Sequence, residues 1–349
     1  IYTSGTAGAP KGVIVNHRTV VHNAWVAIDD LGLIQADRTA LLLSPAHGLA
    51  ASVLFHTLLS GGTLCPFDLR GQGLRALGVW LREERVSVVK ATPSVARGLV
   101  GAMGPGDFLP HLRYLWISGE PVYRDDLAAL WPFLGEECRI IVSLSATETK
   151  EICRLSIDRA TVFETETVPV GRPVKGKRVR LLDDADREVE KGEIGELWVQ
   201  SRFLADGYWR DPDLTRARFR PVPDAPNERM YNTGDLARVG GDGSVEVCGR
   251  RDLQVKIRGY RIQMEEVEAA LRRVAGVKDA AVIKEAAGTD VRLVGLVVCD
   301  VKETEPGNIR ASVGELVPDY MVPARLLVVD ALPLGASGKI DRCALIALV

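Results

Sequence analysis

The residues best suited to phosphate chemistry form a loop at the start of the chain, which reads YTSGTAGAPKG over residues 2–12. Glycines let a backbone approach a ligand closely, hydroxyls donate hydrogen bonds to phosphate oxygens, and a lysine adds a mobile positive charge. The spacing does not satisfy the GxxxxGK[ST] pattern of the P-loop, because no Ser or Thr follows Lys11. The loop therefore indicates either a polyphosphate site of another kind or a flexible Gly/Ser turn.

Three later segments combine glycines with charged residues. YNTGD at residues 231–235 places Asp235 in a glycine turn, where its carboxylate could accept hydrogen bonds from both ribose hydroxyls. An ordinary Asx-type turn explains the same pattern. GRRDLQVKIRGYRI at residues 249–262 interleaves charges with apolar residues, which is also typical of a solvated edge strand. Lys339 lies in SGKIDR at residues 337–342, where a lone lysine in a glycine turn is usually a surface residue.

Positioning these segments requires a scaffold, and the first half of the chain predicts a mostly parallel sheet flanked by helices. Apolar runs rich in β-branched residues follow segments of helical periodicity at residues 86–91, 114–118 and 139–144. Turn signals come next, and they include Gly119-Glu120-Pro121 and Ser145-Ala146-Thr147-Glu148. Because α/β folds bind ligands at the carboxyl ends of their strands, we expect Gly119, Glu120, Thr147 and Glu148 to line a nucleotide site.

The second half of the chain changes character twice. From about residue 177, shorter β segments at residues 178–182 and 194–200 are separated by Asp/Gly turns and predict a β-rich subdomain. After Asp252, a helix over residues 264–274 and two strands over residues 280–284 and 292–299 predict a small α+β domain.

Composition narrows the function. The net charge of −2 gives no global field that would attract nucleic acid or an anionic membrane surface. No apolar stretch reaches the roughly 20 residues of a membrane span. The six cysteines are spread singly, without zinc-site spacing, as in a reduced cytoplasmic protein. Because Ile1 already lies within the glycine loop, we expect further sequence upstream.

Together and in this order, the segments resemble the adenylate-forming (AMP-binding) enzyme superfamily, which includes peptide-synthetase adenylation domains, acyl-CoA synthetases and luciferases. The loop is similar to YTSGTTGxPKG, Ala146-Thr147-Glu148 is similar to the end of PTE, and residues 195–197 and 207–209 are similar to GEL and GYW. PDYMVP at residues 318–323 and QVKIRGYRI favour the nonribosomal peptide synthetase branch. An acyl- or aryl-CoA ligase is the alternative enzyme, and a non-catalytic nucleotide-binding remnant is the alternative of another class.

The resemblance implies a two-domain organisation. Residues 1–251 correspond to the C-terminal portion of a large AMP-binding domain, with the phosphate loop at residues 2–12 and the β-rich subdomain at about residues 177–251. Residues 252–349 correspond to a small mobile domain that carries Lys339, and Asp252 matches the hinge between the two. A hinge is needed because Lys339 must be present for adenylation but would obstruct an incoming pantetheine arm.

The resemblance also implies a reaction and its residues. MgATP and a small carboxylic acid give an acyl-adenylate and pyrophosphate, after which a phosphopantetheine thiol on an acyl or peptidyl carrier protein domain, or CoA, displaces AMP. Thr147 would contact the α-phosphate, Glu148 would bind Mg²⁺, Asp235 would hold the ribose with Arg250 nearby, and Lys339 would neutralise developing charge. The β- and γ-phosphates would be held by the first loop, at Thr3, Ser4, Gly5, Thr6, Gly8 and Lys11.

The sequence departs from the family pattern at several positions. Leu144 stands where an aromatic residue usually stacks on adenine, Ser145-Ala146 replace Gly-Pro, and Ala7 replaces a threonine of the phosphate loop. We expect modestly weaker nucleotide binding. Since much of the large domain would lie upstream of Ile1, we also expect these residues alone to be inactive.

A substrate prediction follows from residues 44–64. Aligning LLSG at residues 58–61 on the family's LLxG places Gly48 where amino-acid-activating domains carry an aspartate for the α-ammonium. A buried ammonium without a carboxylate would be unpaired at a cost of several kcal/mol. We therefore expect an acid without an α-amine, such as a fatty, aryl or hydroxy acid, bound near His47, Gly48, Leu49 and Ser52.

Overall fold

The structure is a computed structural model, and it describes residues 1–3, 11–44, 48–104, 106–251, 254–257, 259–287, 290–299, 305–333, 340 and 342–349. The chain divides into two compact units. The first comprises Ile1–Tyr2 and Gly12–Asp252, and the second comprises Thr3–Lys11 and Leu253–Val349. No helix among the described residues combines the length and the hydropathy needed to cross a membrane.

Fifteen strands are described up to Arg250. They are β1 (Tyr2–Thr3), β2 (Lys11–Ile14), β3 (Arg38–Leu41), β4 (Thr63–Pro66), β5 (Val88–Ala91), β6 (Tyr114–Ser118), β7 (Arg139–Ala146), β8 (Lys150–Ile157), β9 (Arg172–Pro173), β10 (Arg178–Leu182), β11 (Gly195–Ser201), β12 (Gly207–Tyr208), β13 (Phe219–Pro221), β14 (Arg229–Val239) and β15 (Val245–Arg250). The helices of the same part of the chain are α1 (His17–Leu31), α2 (Gly48–Leu59), α3 (Leu69–Glu83), α4 (Pro93–Ala102), α5 (Arg124–Leu130) and α6 (Pro212–Arg218), with a 3₁₀ turn at Trp131–Phe133.

A seven-stranded sheet in the order β4-β3-β5-β6-β7-β8-β9 forms the centre of the first unit. The strands from β4 to β7 are parallel, and β8 and β9 continue antiparallel. One face packs apolar side chains against α3, α4 and α5. The other face packs against α1 and α2, through contacts that include Ala27 with Trp116 and His56 with Trp116. This layered arrangement confirms the predicted parallel sheet with flanking helices.

Local sequence explains where these helices begin and end. The side chain of Asn16 accepts a hydrogen bond from the Thr19 amide at the start of α1, and Gly32 ends that helix in the left-handed conformation. Thr92 caps α4 in the same way, with Pro93 at the first helical position. The helices therefore start directly after the strands, as the α/β pattern requires.

The β-rich subdomain is antiparallel, in the order β10-β11-β14-β13, with β15 also paired to β14. Its core continues into the end of the large sheet, because Leu144 and Ile152 pack with Leu197 and Val199. Strand β12 pairs with β2 in a separate small sheet. The prediction of a β-rich subdomain is thereby confirmed.

The second unit is the small α+β structure that the sequence predicts. Its elements are β16 (Gln254–Ile257), β17 (Tyr260–Gln263), α7 (Met264–Arg272), β18 (Val277–Ala287), β19 (Asp290–Cys299), α8 (Pro306–Leu316), a 3₁₀ turn at Asp319–Met321, β20 (Arg325–Val328) and α9 (Arg342–Ile346). Strand β19 pairs antiparallel with β18 and parallel with β20. Apolar side chains of α7 and α8, such as Val267 and Val313, cover this sheet.

Two local predictions are wrong. Ser145 and Ala146, expected in a turn, belong to β7, where they pair with Glu151 and Lys150 of β8. Asp235, expected in a glycine turn, lies within β14 opposite Arg250. Composition suggested turns in both places, but pairing with a neighbouring strand satisfies backbone hydrogen bonds at these residues.

Candidate active site

Thr147 and Glu148 lie in the turn that joins β7 to β8. The Glu148 side chain is fully buried, and the Tyr208 hydroxyl donates a hydrogen bond of 2.8 Å to its Oε1. The Ala205 amide donates to the Glu148 carbonyl at 2.8 Å, which ties the turn to the segment that leads into β12. The carboxylate is therefore held in one orientation by the β-rich subdomain.

The same tyrosine connects this turn to the strand that carries Asp235. The hydroxyls of Tyr208 and Tyr231 lie 3.4 Å apart, and Asp235 follows Tyr231 by four residues along β14. The Asp235 carboxylate forms an ion pair with Arg250, which also donates to the Thr233 carbonyl at 3.0 Å. The structure thus places Glu148 and Asp235 on one connected framework, with Arg250 beside Asp235.

Gly234 bends β14 without ending it. Its φ of 75° lies in the left-handed region, and its amide donates to the Asn232 side chain at 2.7 Å. The Thr233 hydroxyl donates to the Leu197 carbonyl at 2.9 Å and accepts from the Asp235 amide at 3.0 Å. A local Asx turn is therefore built into a strand, and it fixes the backbone directly before Asp235.

The start of α2 reaches the Thr147 turn. A Cβ added to Gly48 would lie 3.0 Å from the Thr147 Oγ1, so any larger residue at this position would require the Thr147 side chain to shift. The Ser52 hydroxyl donates to the Gly48 carbonyl at 3.4 Å, one helical turn later. Of the predicted pocket residues, Gly48 and Ser52 thus belong to the first turns of a helix that begins at the candidate site, and Leu49 lies between them.

Gly119 and Glu120 follow β6, and the structure shows a local partner for Glu120. Its Oε2 accepts hydrogen bonds from both the amide and the hydroxyl of Ser94, at 3.1 Å and 2.5 Å. Since Ser94 lies in the first turn of α4, Glu120 joins the end of β6 to the start of that helix. Gly119 has a φ of 109°, which favours glycine. Their contact with a nucleotide stays a prediction.

Several predicted residues lie outside the described part of the chain. They are Ser4, Gly5, Thr6 and Gly8 of the phosphate loop, His47 of the pocket, Asp252 at the hinge and Lys339. Thr3 and Lys11, at the two ends of the loop, are described. The Thr3 hydroxyl is buried and finds no hydrogen-bond partner among the described residues, and Lys11 is buried.

Lys150, which is buried, and Lys177, which is half-buried, are cations that the sequence analysis did not identify. Burial lowers the pKa of Lys150 to about 8, and the nearby Glu148 charge opposes that change. Burial also lowers the pKa of Lys177 to about 7, and its ammonium donates to the Phe203 carbonyl at 2.6 Å. The only sequence signal for Lys150 is its position two residues after Glu148. It adds positive charge near the buried carboxylate.

A second polar region that the sequence analysis missed lies on the face of the large sheet that packs against α1 and α2. The Trp116 indole donates to the Ser143 hydroxyl at 2.7 Å, and the Lys90 ammonium lies 3.4 Å from the centre of the Trp116 ring. Arg154 lies over the same ring system and pairs with Glu151. A lysine inside the otherwise apolar run VSVVKA at residues 86–91 is the one signal that could have located this region.

The donor set fits a magnesium ion brought with a nucleotide. Mg²⁺ is usually held by one or two carboxylates together with substrate phosphates and water. Glu148 offers one oriented, buried carboxylate. Across the described ranges, no group of three or more His, Cys, Asp or Glu side chains is arranged to hold a metal ion by itself.

Comparison with known proteins adds family evidence to this geometry. The model of the AMP-binding enzyme family matches residues 1–209, and that of the AMP-binding enzyme C-terminal domain matches residues 266–339. The chain is 34% identical to tyrocidine synthase 3 of Brevibacillus parabrevis over 354 residues, which cover 98% of this chain and 5% of that protein. The first curated relatives are matched over only 4% to 31% of their own length.

Solved structures share the fold. The amide bond synthetase McbA from Marinactinospora thermotolerans superimposes with a TM-score of 0.88 at 25% identity, over 99% of this chain and 68% of that chain. Holo-PA1221, a nonribosomal peptide synthetase protein containing adenylation and PCP domains, gives a TM-score of 0.85 at 26% identity, over 100% of this chain and 59% of that chain. Both comparisons extend over the two units.

Proposed function

Because the chain belongs to the AMP-binding enzyme family, we propose that it contributes most of an adenylation site that activates a carboxylic acid with ATP. A carboxylate oxygen of the acid attacks the α-phosphorus, the bond from that phosphorus to the bridging oxygen breaks, and pyrophosphate leaves. The observation that carries this proposal is the family match over residues 1–209, a range that contains the oriented Thr147–Glu148 turn.

The described residues suit this reaction. Glu148 would hold Mg²⁺, which when bound neutralises phosphate charge. Thr147, adjacent in the turn, would donate to the α-phosphate. Asp235, already oriented by Arg250, would accept hydrogen bonds from the ribose hydroxyls. Lys11 and the Thr3 hydroxyl, which has no hydrogen-bond partner among the described residues, would hold the β- and γ-phosphates together with the rest of the loop. Preorganised groups of this kind favour displacement, because they need no rearrangement when charge develops.

We further propose that the acyl group passes to a phosphopantetheine thiol on a carrier protein. The thiolate attacks the acyl carbon, a thioester forms, and AMP leaves with the bonding electrons. The similarity to a solved protein that contains adenylation and PCP domains supports this acceptor. Asp252 would be the pivot that exchanges Lys339 for the Gly259 segment between the two half-reactions.

Lys339 gives the sharpest test of this division of labour. In the full-length protein, Lys339→Ala should lower ATP–pyrophosphate exchange by at least ~10², the usual scale for losing one preorganised electrostatic contact. Thioester formation from a supplied acyl-adenylate should be retained. Lys278→Ala, a change at another lysine of the second unit, is the matched control. Equal loss of both half-reactions would remove Lys339 from this role, and absence of exchange with every acid would overturn the proposed function.

The acid itself is proposed to lack an α-amine. A Cβ at Gly48 would meet the Thr147 hydroxyl at 3.0 Å, so this position carries no carboxylate and has little room for one. An exchange screen should pair each proteinogenic amino acid with its des-amino counterpart. We expect the des-amino acids to be preferred, and a strong preference for any α-amino acid would contradict this assignment.

A further inference from the structure

The α2-facing side of the large sheet carries a row of polar side chains at neighbouring register positions. Lys90 of β5 lies opposite Trp116 of β6, and Ser118 lies opposite Ser143 of β7. Because side chains alternate between the two faces of a sheet, these four share the face that packs against α1 and α2. The Ser118 hydroxyl also lies 3.2 Å from that of Ser145, two residues before Thr147. The row thus runs from Lys90 to the Thr147 turn.

Helix α2 covers the same row. Gly48, Ser52 and His56 are spaced by four residues and therefore lie along one side of the helix. Gly48 adjoins Thr147, whereas the His56 ring lies 5.4 Å from the Trp116 ring. Both ring nitrogens of His56 are fully buried without a hydrogen-bond partner among the described residues. Polar groups that lack partners therefore occur at the end of the row that is remote from Thr147.

Lys90 is the charged group at that end. It is only 3% exposed, and among the described residues its ammonium has no hydrogen-bond or ion-pair partner other than the face of Trp116. Glu151, the acidic residue whose charge acts on Lys90, forms a bidentate ion pair with Arg154. Arg154 in turn reaches Asp30 at 3.2 Å. The fold therefore buries Lys90 without supplying its carboxylate.

A buried ammonium without an acceptor is costly, and a cation–π contact offsets only part of that cost. An anionic group of a bound ligand would pair with the Lys90 ammonium. The ligand that reaches this row under the proposed function is the acid whose reacting carboxylate lies at Thr147. We propose that Lys90 binds a second carboxylate at the far end of the substrate, so that the acid activated is a dicarboxylic acid.

This inference rests on the proposed function and narrows its substrate class. A substrate carboxylate at Lys90 forms a charge-assisted hydrogen bond in a water-poor site, where such contacts are strongest. The His56 ring lies 5.4 Å from the Trp116 ring and offers a further donor in its neutral form. Discrimination between mono- and dicarboxylic acids then comes from one side chain, because a monocarboxylic acid would leave Lys90 unpaired.

The test uses the full-length protein, with linear dicarboxylic acids of graded length, their monoamides and monocarboxylic acids of equal length. Pyrophosphate exchange and calorimetric binding are measured for the wild type, Lys90→Met and Lys90→Arg. We expect at least one dicarboxylic acid to exceed its monocarboxylic analogue by ~10² or more in kcat/KM, the scale of a buried charge pair. Lys90→Met should abolish that preference through KM, and Lys90→Arg should retain part of it.

Lys175→Met is the matched control, because Lys175 also faces a tryptophan ring, that of Trp25, but its side chain is 56% exposed. It should leave the preference unchanged. Binding and exchange that favour monocarboxylic acids would overturn the inference and leave adenylation intact. A dicarboxylate preference that survives in Lys90→Met would also overturn it, and would assign Lys90 a purely structural contact with Trp116. If no acid supports pyrophosphate exchange, the proposed function is overturned. Calorimetric binding of the dicarboxylic acids to the wild type and to Lys90→Met would then still test the assignment of Lys90.

Discussion

Two of the buried charges in the first unit have opposite surroundings. In the β14–β15 hairpin, Asp235 is paired with Arg250, and both side chains are largely buried. On the α2-facing side of the large sheet, Lys90 is equally buried, but its ammonium contacts an aromatic face instead of a carboxylate. Pairing compensates the desolvation of a buried charge, whereas a buried charge that the fold leaves unpaired destabilises the fold and is available to a ligand.

The largest expected effect is on activity, at a charge assigned to ligand binding. Glu148→Gln keeps an oxygen that accepts from Tyr208 but removes the charge proposed to hold Mg²⁺. Pyrophosphate exchange should fall by ~10² to 10³, with unchanged thermal unfolding. Glu246→Gln is the control, since Glu246 pairs with the partly exposed Arg238 at 2.8 Å. Retention of wild-type exchange at ordinary magnesium concentration would contradict the assignment.

The next largest effect is on stability, at the ion pair between Asp235 and Arg250. Arg250→Met leaves the Asp235 carboxylate buried without its cation and should destabilise the β14–β15 hairpin by about 3 kcal/mol. Hydrogen exchange of the β14 and β15 amides in the full-length protein measures this locally. Arg238→Met breaks a more exposed pair in the same hairpin and should cost less than about 1 kcal/mol. Equal effects of the two changes would erase the distinction between buried and exposed pairs.

Removal of the unpaired Lys90 charge should have the opposite effect and stabilise the fold. Burial lowers the pKa of Lys90 from 10.5 to about 8, an effect that Glu151 opposes and that Arg154 and Lys150 reinforce, while His56 faces the same ring. A lysine with a lowered folded pKa destabilises the fold below pH 8, and the penalty disappears as pH rises through 8 towards 10.5. Lys90→Met should therefore stabilise the sheet by up to about 3 kcal/mol at pH 7.

The measurement for Lys90→Met is hydrogen exchange of the β5 and β6 amides at pH 7 and pH 9, corrected for the intrinsic exchange rates. The stabilisation should shrink at the higher pH. A variant that is less stable than the wild type at pH 7 would show that the contact between Lys90 and Trp116 outweighs the cost of burial, which would undo the contrast with Asp235.

The smallest effect tests the connection that Tyr208 makes between the Thr147–Glu148 turn and β14. Tyr208→Phe removes the hydroxyl that donates to Glu148 and lies beside Tyr231, with little change in shape. Losing a hydrogen bond to a charged group costs about 1.5 to 3 kcal/mol. The lower end of this range corresponds to roughly a tenfold loss of exchange, which we expect together with an increased magnesium requirement. Tyr231→Phe should have a weaker effect, because its hydroxyl does not donate to Glu148 in the described contacts.

The sequence predicts some elements closely because their signals are local. Residues 114–118 form β6 as predicted, since Tyr-Leu-Trp-Ile-Ser combines aromatic and β-branched residues that favour strands. The order of the four glycine- and charge-containing segments was sufficient to identify the family, although no segment does so alone. Asp235 shows the opposite case. Its turn-forming neighbours suggested a turn, but pairing with β15 made it part of a strand.

The amino-acid sequence by itself determined the layered α/β architecture, the β-rich subdomain, the small α+β unit and the family, because periodicity and residue spacing are properties of the chain. Only the tertiary structure decided that Tyr208 orients Glu148, that Arg250 forms an ion pair with Asp235 and that Lys90 is buried against Trp116. These partners are separated by 60, 15 and 26 residues. Strand order and register bring them together, and a charge is costly or stabilising only according to what lies beside it in space.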